Sequence, residues 1–347
     1  MPPRRAKAVK YGFTFGFPFV IAMLLVGIYV GSMHAPKAHD LPVAVVGNGK
    51  QAERSVAALN KAEGSPADAR LLETVSEAKQ LLHDREIAGA LTLPASGSSE
   101  RTAVLYTAQA AGSSQAVGAT QLLAPVAAGA GLTLEHQDIA PLPSGDLSGT
   151  SLMFIGIGLM LAGYMSVTVA SSGAPELMRL RRLVPLLVGW GALMSLVIWF
   201  IADPVVGAIK GHTAEMLGIG WLAVVAAGLA QTLLSRLFGP LAVIPGLALF
   251  VFLGVPASNL VFSIYTLPGI CGFLHDILPL PAAGEALRAV VYFDGDGAGA
   301  HLLTLGVWAV AALLLTAGID LLRRRTRPAH VRGSAAQPSK GDLAHSA

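Results

Sequence analysis

Long uncharged stretches alternate with short charged segments along this chain. A helix of about 20 apolar residues spans the roughly 30 Å hydrocarbon core of a bilayer, and lipid offers no partners for unpaired backbone groups. Six stretches of at least twenty residues lack Asp, Glu, Lys and Arg, and they lie between Lys10 and Lys37, Asp146 and Glu176, Arg182 and Asp203, Glu215 and Arg236, Arg236 and Asp276, and Asp296 and Asp320. The pattern therefore predicts an α-helical, multi-pass membrane protein with six transmembrane helices.

Basic residues fall mainly on alternate sides of these stretches. They cluster before the first stretch, between the second and third, between the fourth and fifth, and after the last: Arg4, Arg5, Lys7 and Lys10; Arg179, Arg181 and Arg182; Arg236; and Arg323, Arg324, Arg325 and Arg327. The opposite short loops carry only Lys210 and Arg288. Under the positive-inside rule the clusters are cytoplasmic, which predicts a plasma or inner membrane protein with both termini inside. The alternative is that they are solvated charges without topological meaning.

The two ends of the chain differ from the membrane region between them. Residues 1–10 read as a basic cytoplasmic segment, residues 11–33 as the first transmembrane helix, and residues 323–347 as a basic cytoplasmic tail that we expect to be disordered. The first apolar stretch could instead be a cleaved secretory signal. It exceeds the typical apolar signal core of about 7–15 residues, and no clean cleavage site follows, which favours an uncleaved anchor.

The uncharged run 237–275 is long enough for two crossings. Two crossings would place the final arginine cluster outside, against the strongest basic signal, so we predict one span over Leu241–Gly254. A broken outer hairpin near residues 255–300 follows, because prolines interrupt the remaining apolar sequence. Residues 150–322 thus form a predicted five-helix membrane domain.

The outer hairpin contains a short predicted amphipathic helix. Leu287, Val290 and Val291 recur at helical spacing, and we expect this stripe to pack on the outer ends of the spans. The acidic side chains of Asp276 and Glu285 are expected to face the outside or a wet vestibule.

The segment 34–149, between the first and second spans, has a different composition. It holds eight basic and twelve acidic residues, a net charge of minus four, whereas the whole chain carries plus three. The remaining plus seven suits contact with anionic lipid headgroups and a cytosolic partner. The topology makes this segment an extracytoplasmic domain.

Strand-like and helix-like patterns alternate within the domain, which favours a small α/β sheet with helical cover. Thr74 and Glu77 have capping-box spacing at the start of one helix. The other predicted elements are a strand over Leu41–Val46, a helix over Gln51–Ala62, strands over Ile87–Leu93 and Ala103–Tyr106, a helix over Ser113–Ala128 and a strand over Leu132–Ile139.

Catalytic and metal-binding patterns are weak. The single cysteine, Cys271, excludes an intramolecular disulfide and a cysteine metal site. The pairs His136 with Asp138 and His275 with Asp276 each lack a third ligand, so we predict no metal, cofactor or catalytic residue. A membrane enzyme is therefore the weakest class, and no feature indicates a nucleic-acid partner.

Four segments carry a resemblance to a known family. They are "LPVAVVGNG" (Leu41 to Gly49), "SEAKQLLHDREIAGALTLP" (Ser76 to Pro94), "DIAPLPSGDLSGTS" (Asp138 to Ser151) and the outer element "LPGICGFLHDILPLPAAGEALRAVVYF" (Leu267 to Phe293). With one helix, a domain and five further helices, the chain resembles the type-2 ABC transporter permease superfamily. More narrowly, it is similar to the phage-infection-protein branch found in Gram-positive bacteria.

The resemblance implies an export permease, working as a homodimer, that moves an amphipathic, lipid-like or peptide substrate outward. No Walker sequence is present, so a separate ATPase subunit is expected to hydrolyse ATP. We predict that the loop "SSGAPELMRLRR" (Ser171 to Arg182) forms a short amphipathic helix that contacts this ATPase through Glu176, Leu177, Leu180 and Arg181. The alternatives are a basic turn that only sets topology and, for the whole chain, a membrane-anchored receptor or binding protein without transport.

Overall fold

A computed structural model describes residues 16, 18–31, 34, 37–95 and 98–325. Within these residues the chain is mostly helical and carries one small α/β domain, as the sequence predicts. The predictions for the N-terminal segment 1–10 and for the tail beyond residue 325 lie outside the described residues.

The α/β domain is one five-stranded sheet covered on both faces. Its order is β2-β1-β3-β4-β5, with β3 and β4 antiparallel and the other neighbours parallel. The elements in chain order are β1 (Leu41–Val46), α2 (Lys50–Asn60), β2 (Ala67–Leu72), α3 (Val75–His83), β3 (Gly89–Thr92), β4 (Thr102–Thr107), α4 (Ser113–Gly129) and β5 (Thr133–Asp138). Here α1 is the earlier apolar helix Pro18–Gly31.

Alternation along β1 assigns its side chains to the two faces of the sheet. Leu41, Val43 and Val45 pack with residues of α2 and α4 on one face, whereas Ala44 and Val46 pack with α3 on the other. The Thr74 side chain accepts a 3.2 Å hydrogen bond from the Glu77 amide at the start of α3, so the predicted cap is confirmed.

Among the described residues, four helical segments are long and apolar enough to cross a membrane. They are Ser151–Gly173, Leu180–Val205, Thr213–Ala257 and Ala298–Arg325. The first, α5, and the last, α12, are unbroken, and α6 (Leu180–Phe200) continues into a π-helical turn to Val205. The helix α1 has 14 described residues by its bounds, and residues 11–15, 17, 32 and 33 of the predicted first span lie outside the described residues. The chain is thus a membrane protein by the length and composition of its helices.

The 45-residue segment Thr213–Ala257 reverses direction at Gly239. Its first part, α7 (Thr213–Phe238), ends where Gly239 adopts a φ of 58°. After the reversal the Gln231 side chain of α7 donates a 3.3 Å hydrogen bond back to the Ala242 carbonyl oxygen. The returning part, residues 239–257, contains α8 (Val243–Leu247) and α9 (Gly254–Ala257) and covers the predicted span Leu241–Gly254.

Two helices follow before α12, namely α10 (Ile270–Ile277) and α11 (Pro279–Tyr292). The break between them agrees with the predicted broken hairpin, but the environment of α11 does not. Every residue from Pro279 to Val290 is buried, including Ala289 and Glu285. The predictions of a one-sided stripe and of Glu285 facing water are therefore wrong, because α11 is covered by α5, α7 and α12 and also contacts the α/β domain.

Glycines allow α7 to lie close to α5 and α6. A Cβ atom at Gly163 of α5 would meet Ala227 Cβ and the Gly228 amide nitrogen at 2.9 Å. A Cβ atom at Gly220 or Gly228 of α7 would meet Ser195 Oγ or Leu187 Cδ2 of α6 at still shorter distances. These contacts make small residues packing positions, since backbones approach only where no side chain intervenes.

Candidate functional site

Two charged clusters lie at opposite ends of the long helices. The first, which we call the junction cluster, consists of Arg85 from the α/β domain together with Glu285 and Arg288 from α11. The second, which we call the arginine groove, lies around Arg236 and Asp320 at the end distant from the domain. A lone buried charge is costly, so the buried charges of the junction cluster have to be explained by their partners.

Glu285 is the centre of the junction cluster. Its Oε2 accepts a 3.1 Å hydrogen bond from Arg85 Nη1, and its Oε1 accepts one from Arg288 Nη1. The exposed fractions of the Arg85, Glu285 and Arg288 side chains are 16%, 6% and 4%. One carboxylate thus holds two guanidinium groups in a largely dry environment, and each member depends on the others for its charge.

Backbone carbonyl groups satisfy the remaining guanidinium donors. Arg85 Nη2 donates to the Asp296 carbonyl oxygen at 2.9 Å, and Arg288 Nη2 donates to the Asn259 carbonyl oxygen at 2.8 Å. The Arg85 guanidinium carbon also lies 5.3 Å from the centre of the Phe293 ring, within the range of a cation–π contact. The cluster therefore connects the domain to the loops at both ends of the α10–α11 hairpin.

Arg85 adopts an unusual backbone conformation. Its φ is 63°, in the left-handed region that costs a non-glycine residue about 1–3 kcal/mol. The position follows α3, where glycine or asparagine is the common choice. Burial lowers the pKa of the Arg85 guanidinium, and the neighbouring Glu285 carboxylate opposes this shift by raising the pKa. The buried hydrogen bond between Arg85 and Glu285 offsets the free-energy cost of this backbone conformation.

Further contacts join the domain to the loop between α9 and α10. The Gln115 side chain donates a 2.9 Å hydrogen bond to Asn259 Oδ1, which also accepts from the Ile264 amide at 3.2 Å. The His39 amide, just before β1, donates to the Tyr265 carbonyl oxygen at 2.8 Å. The domain thus rests on the helices at several separate points.

The arginine groove has a volume of about 850 Å³. Its residues come from the α5–α6 connection and from the ends of α7 and α12: Pro175, Met178, Arg179, Leu180, Arg181, Arg182, Arg236, Ala317, Asp320, Leu321 and Arg324. Arg236 Nε donates a 2.8 Å hydrogen bond to Asp320 Oδ1, and Arg236 Nη2 donates to the Met178 carbonyl oxygen. These bonds bind α7, α12 and the connection together.

The predicted ATPase-contact residues lie in this connection. Leu180 and Arg181 line the groove, whereas Glu176 and Leu177 lie on a 3₁₀ turn, Pro175–Met178, with Glu176 exposed. The predicted continuous amphipathic helix is wrong. Arg179 has extended backbone angles and separates the turn from α6, and Met178 is buried against the bundle instead of extending a helix. The proposed contact with an ATPase stays a prediction.

One helix connects the two ends. The buried Asp146 carboxylate accepts hydrogen bonds from the Thr150 and Ser151 amides, at 3.2 and 2.9 Å, and so satisfies the start of α5. From there α5 runs without interruption to Gly173, two residues before the exposed turn. A displacement of the turn along the α5 axis would therefore reach the base of the domain.

The histidine–aspartate pairs from the sequence have structural roles. His136 Nε2 and the Thr107 hydroxyl form a 2.8 Å hydrogen bond, and Asp138 accepts from the Gln109 and Ala140 amides. His275 Nδ1 lies 2.9 Å from the Ala257 carbonyl oxygen. Neither pair gathers a third ligand among the residues that the structure describes.

Sequence reasoning missed the junction cluster. Glu285 and Arg288 lie three positions apart on α11. This spacing allows an ion pair on one face of a helix and could have been recognised in the sequence. Arg85 carries no comparable signal, since 200 positions separate it from Glu285. No family model, curated protein or solved structure matches this chain.

Proposed function

We propose that this chain is the permease subunit of an ATP-driven exporter that moves an amphipathic, lipid-like or peptide substrate outward. It belongs, in this proposal, to the type-2 ABC permease group, acts as a homodimer and binds a separate ATPase subunit. The observation that carries the proposal is the unbroken course of α5 from the Asp146 cap beside the domain to the exposed Pro175–Met178 turn. Such a helix can transmit a displacement from an ATPase to an outer domain.

The proposal requires a defined arrangement in the membrane. We place α1, α5, α6, α7, the returning segment 239–257 and α12 across the bilayer, with both termini and the arginine groove in the cytoplasm. The returning segment has 19 residues by these bounds, about 28 Å at 1.5 Å per residue, which is close to the hydrocarbon thickness. The α/β domain is then extracytoplasmic.

Single-cysteine labelling tests this arrangement. In a Cys271→Ser background, we expect a membrane-impermeant reagent to label Gly64→Cys and Gly211→Cys in intact cells, because both positions lie on the domain side. Gly173→Cys should react only after permeabilisation. Labelling of Gly173→Cys in intact cells, at the rate seen for Gly64→Cys, would place the groove outside and contradict the arrangement.

Affinity purification tests the coupling of an ATPase to the exposed turn. We expect the wild-type chain, extracted from its native membrane in mild detergent, to bring down an ATP-binding subunit. At least about tenfold less ATPase should co-purify with a Glu176→Arg, Leu177→Asp double variant. A reversed charge and a charge in place of an apolar side chain, both in one small interface, cost a few kcal/mol of binding free energy. The double variant keeps Arg179, Arg181 and Arg182, so the topology signal survives.

A matched control uses the same two changes on the domain. Glu63→Arg with Leu71→Asp alters exposed positions far from the turn and should leave recovery of the ATPase unchanged. Equal recovery by the wild-type chain and the Glu176–Leu177 variant would reject coupling through the turn.

The second candidate is a receptor or binding protein without transport. The observation that favours it is the set of fixed contacts between the domain and the helices, above all the buried Glu285 carboxylate shared by two arginines. A chain that purifies without any ATPase, while its labelling pattern holds, would support this function instead.

A further inference from the structure

The arginine groove carries an excess of positive charge. Five arginines line it, and Asp320 is its one acidic residue. Because Asp320 pairs with Arg236, the guanidinium groups of Arg179, Arg181, Arg182 and Arg324 form no ion pair among the residues that the structure describes. Like charges that converge on one cavity repel each other, so an anion in the groove would stabilise the bundle.

The position of the groove limits the kind of anion. It lies at the ends of α7 and α12 and the start of α6, all of which are apolar helices of membrane-spanning length. Headgroup phosphates of a bilayer occupy this level when the helices cross it. Leu180, Ala317 and Leu321 form apolar parts of its wall. The site therefore offers both an anion-binding surface and a contact for hydrocarbon.

We propose that the arginine groove binds the headgroup phosphate of an anionic phospholipid in the adjacent leaflet. Guanidinium groups bind phosphate oxygens in pairs of parallel hydrogen bonds, and basic pockets between transmembrane helices bind anionic headgroups. Asp320 repels a phosphate, so we place the phosphate nearer to the four arginines without an ion pair than to the Arg236–Asp320 pair. The inference rests on the membrane placement of the helices and not on transport or an ATPase.

Lipid selection from a mixed bilayer tests the proposal. The full chain is reconstituted in nanodiscs of phosphatidylglycerol and phosphatidylcholine in equal amounts, and the lipids retained after detergent extraction are measured by mass spectrometry. We expect the wild-type chain to retain phosphatidylglycerol preferentially. In an R179Q/R182Q/R324Q variant, the ratio of retained phosphatidylglycerol to phosphatidylcholine should be at least about tenfold lower, since each basic side chain near anionic lipid contributes roughly 1 kcal/mol. Arg236 is left intact because it holds α7 and α12 together.

The control removes the same charge elsewhere. A K37Q/K61Q/R101Q variant changes three exposed domain residues, and its lipid preference should equal that of the wild-type chain. If the groove variant does not fold, the single R324Q change at the end of α12 replaces it, with a smaller loss in the same direction.

Three results would overturn the proposal. The first is an unchanged lipid preference in the folded groove variant. The second is thermal stabilisation of the wild-type chain by inorganic phosphate equal to that by phosphatidylglycerol, which would identify a site for free phosphate. The third is loss of a co-purifying acidic protein from the groove variant with lipid preference intact, which would assign the groove to that protein.

Discussion

Replacing Glu285 with glutamine is expected to destabilise the protein by about 3–5 kcal/mol, the usual cost of removing one member of a buried ion pair. Glutamine keeps the shape of the side chain but leaves the guanidinium groups of Arg85 and Arg288 facing each other without a counter-charge. Both arginines lie in largely dry surroundings, so water cannot replace the carboxylate. The midpoint of thermal unfolding in detergent and resistance of the α/β domain to protease should both fall.

A neighbouring residue gives the matched control. Glu86 follows Arg85, has a side chain 57% exposed and lies 4.0 Å from Arg70. Glu86→Gln should therefore change stability by about 1 kcal/mol or less, as is typical of surface pairs. An Arg85→Met, Glu285→Met, Arg288→Met triple variant should recover much of the lost stability, because apolar replacement of a whole buried ionic cluster is often neutral or stabilising. Equal thermal stability of Glu285→Gln and Glu86→Gln would show that the junction cluster does not hold the domain.

The second large effect is expected at the contact between α5 and α7. Gly163→Ala introduces a methyl group against the Val224 carbonyl oxygen and Ala227 Cβ, which are backbone and near-backbone atoms that have no room to move. Overpacking of this kind costs typically 1–3 kcal/mol, and the helices should separate or shift. We expect a lower unfolding midpoint and a smaller yield of monodisperse protein in detergent.

Gly189→Ala is the matched control, because Gly189 is not packed against another helix. Apart from the neighbouring backbone of its own helix, no atom lies within 4 Å of a Cβ built at Gly189, a helical position in α6. Alanine is a better helix former than glycine by about 1 kcal/mol, so this change should be neutral or slightly stabilising. A stable Gly163→Ala variant, indistinguishable from Gly189→Ala, would mean that α5 and α7 are not held at the close distance that the structure shows.

The helices and strands that the sequence predicts correctly are mostly those with a local sequence signal. Those that it does not predict form through contacts between residues distant in the sequence. The helix α3 was predictable from the Thr74–Glu77 cap, and β1 from its β-branched run. The strand β2 has only two bulky apolar residues, Leu71 and Leu72, and is a strand because it pairs with β1 along its whole length. Its register is a property of the sheet rather than of its own sequence.

The helix α11 shows why burial was harder to predict than helicity. Its charges suggested a solvent-facing side, and the stripe of larger apolar residues suggested one packed face. In the structure, Glu285 and Arg288 neutralise each other, and the small residues Ala282, Ala283 and Gly284 let neighbouring segments approach from other sides. A paired carboxylate can be buried where a lone one cannot, and sequence alone does not show that Arg85 completes the pairing.

The candidate sites, too, are only partly predictable from the sequence. The basic cluster Arg179–Arg182 was visible in the sequence, but its convergence with Arg236 and Arg324 into one groove requires the packing of α6, α7 and α12. The 3₁₀ turn that presents Glu176 replaced a predicted helix because Met178 anchors the connection in the bundle. The role of this turn remains a proposal about a partner.

The assignment as an ATP-driven permease is best tested by measuring ATP hydrolysis in the complex that purifies with this chain. The chain, tagged and extracted from its native membrane in mild detergent, is assayed for ATP hydrolysis beside the Glu176→Arg, Leu177→Asp variant at equal chain concentration. We expect hydrolysis in the wild-type preparation and at least about a tenfold lower rate in the variant, in line with the loss of a few kcal/mol from one interface. Absence of hydrolysis in the wild-type preparation, or equal rates in the two, would contradict the assignment as an ATP-driven permease.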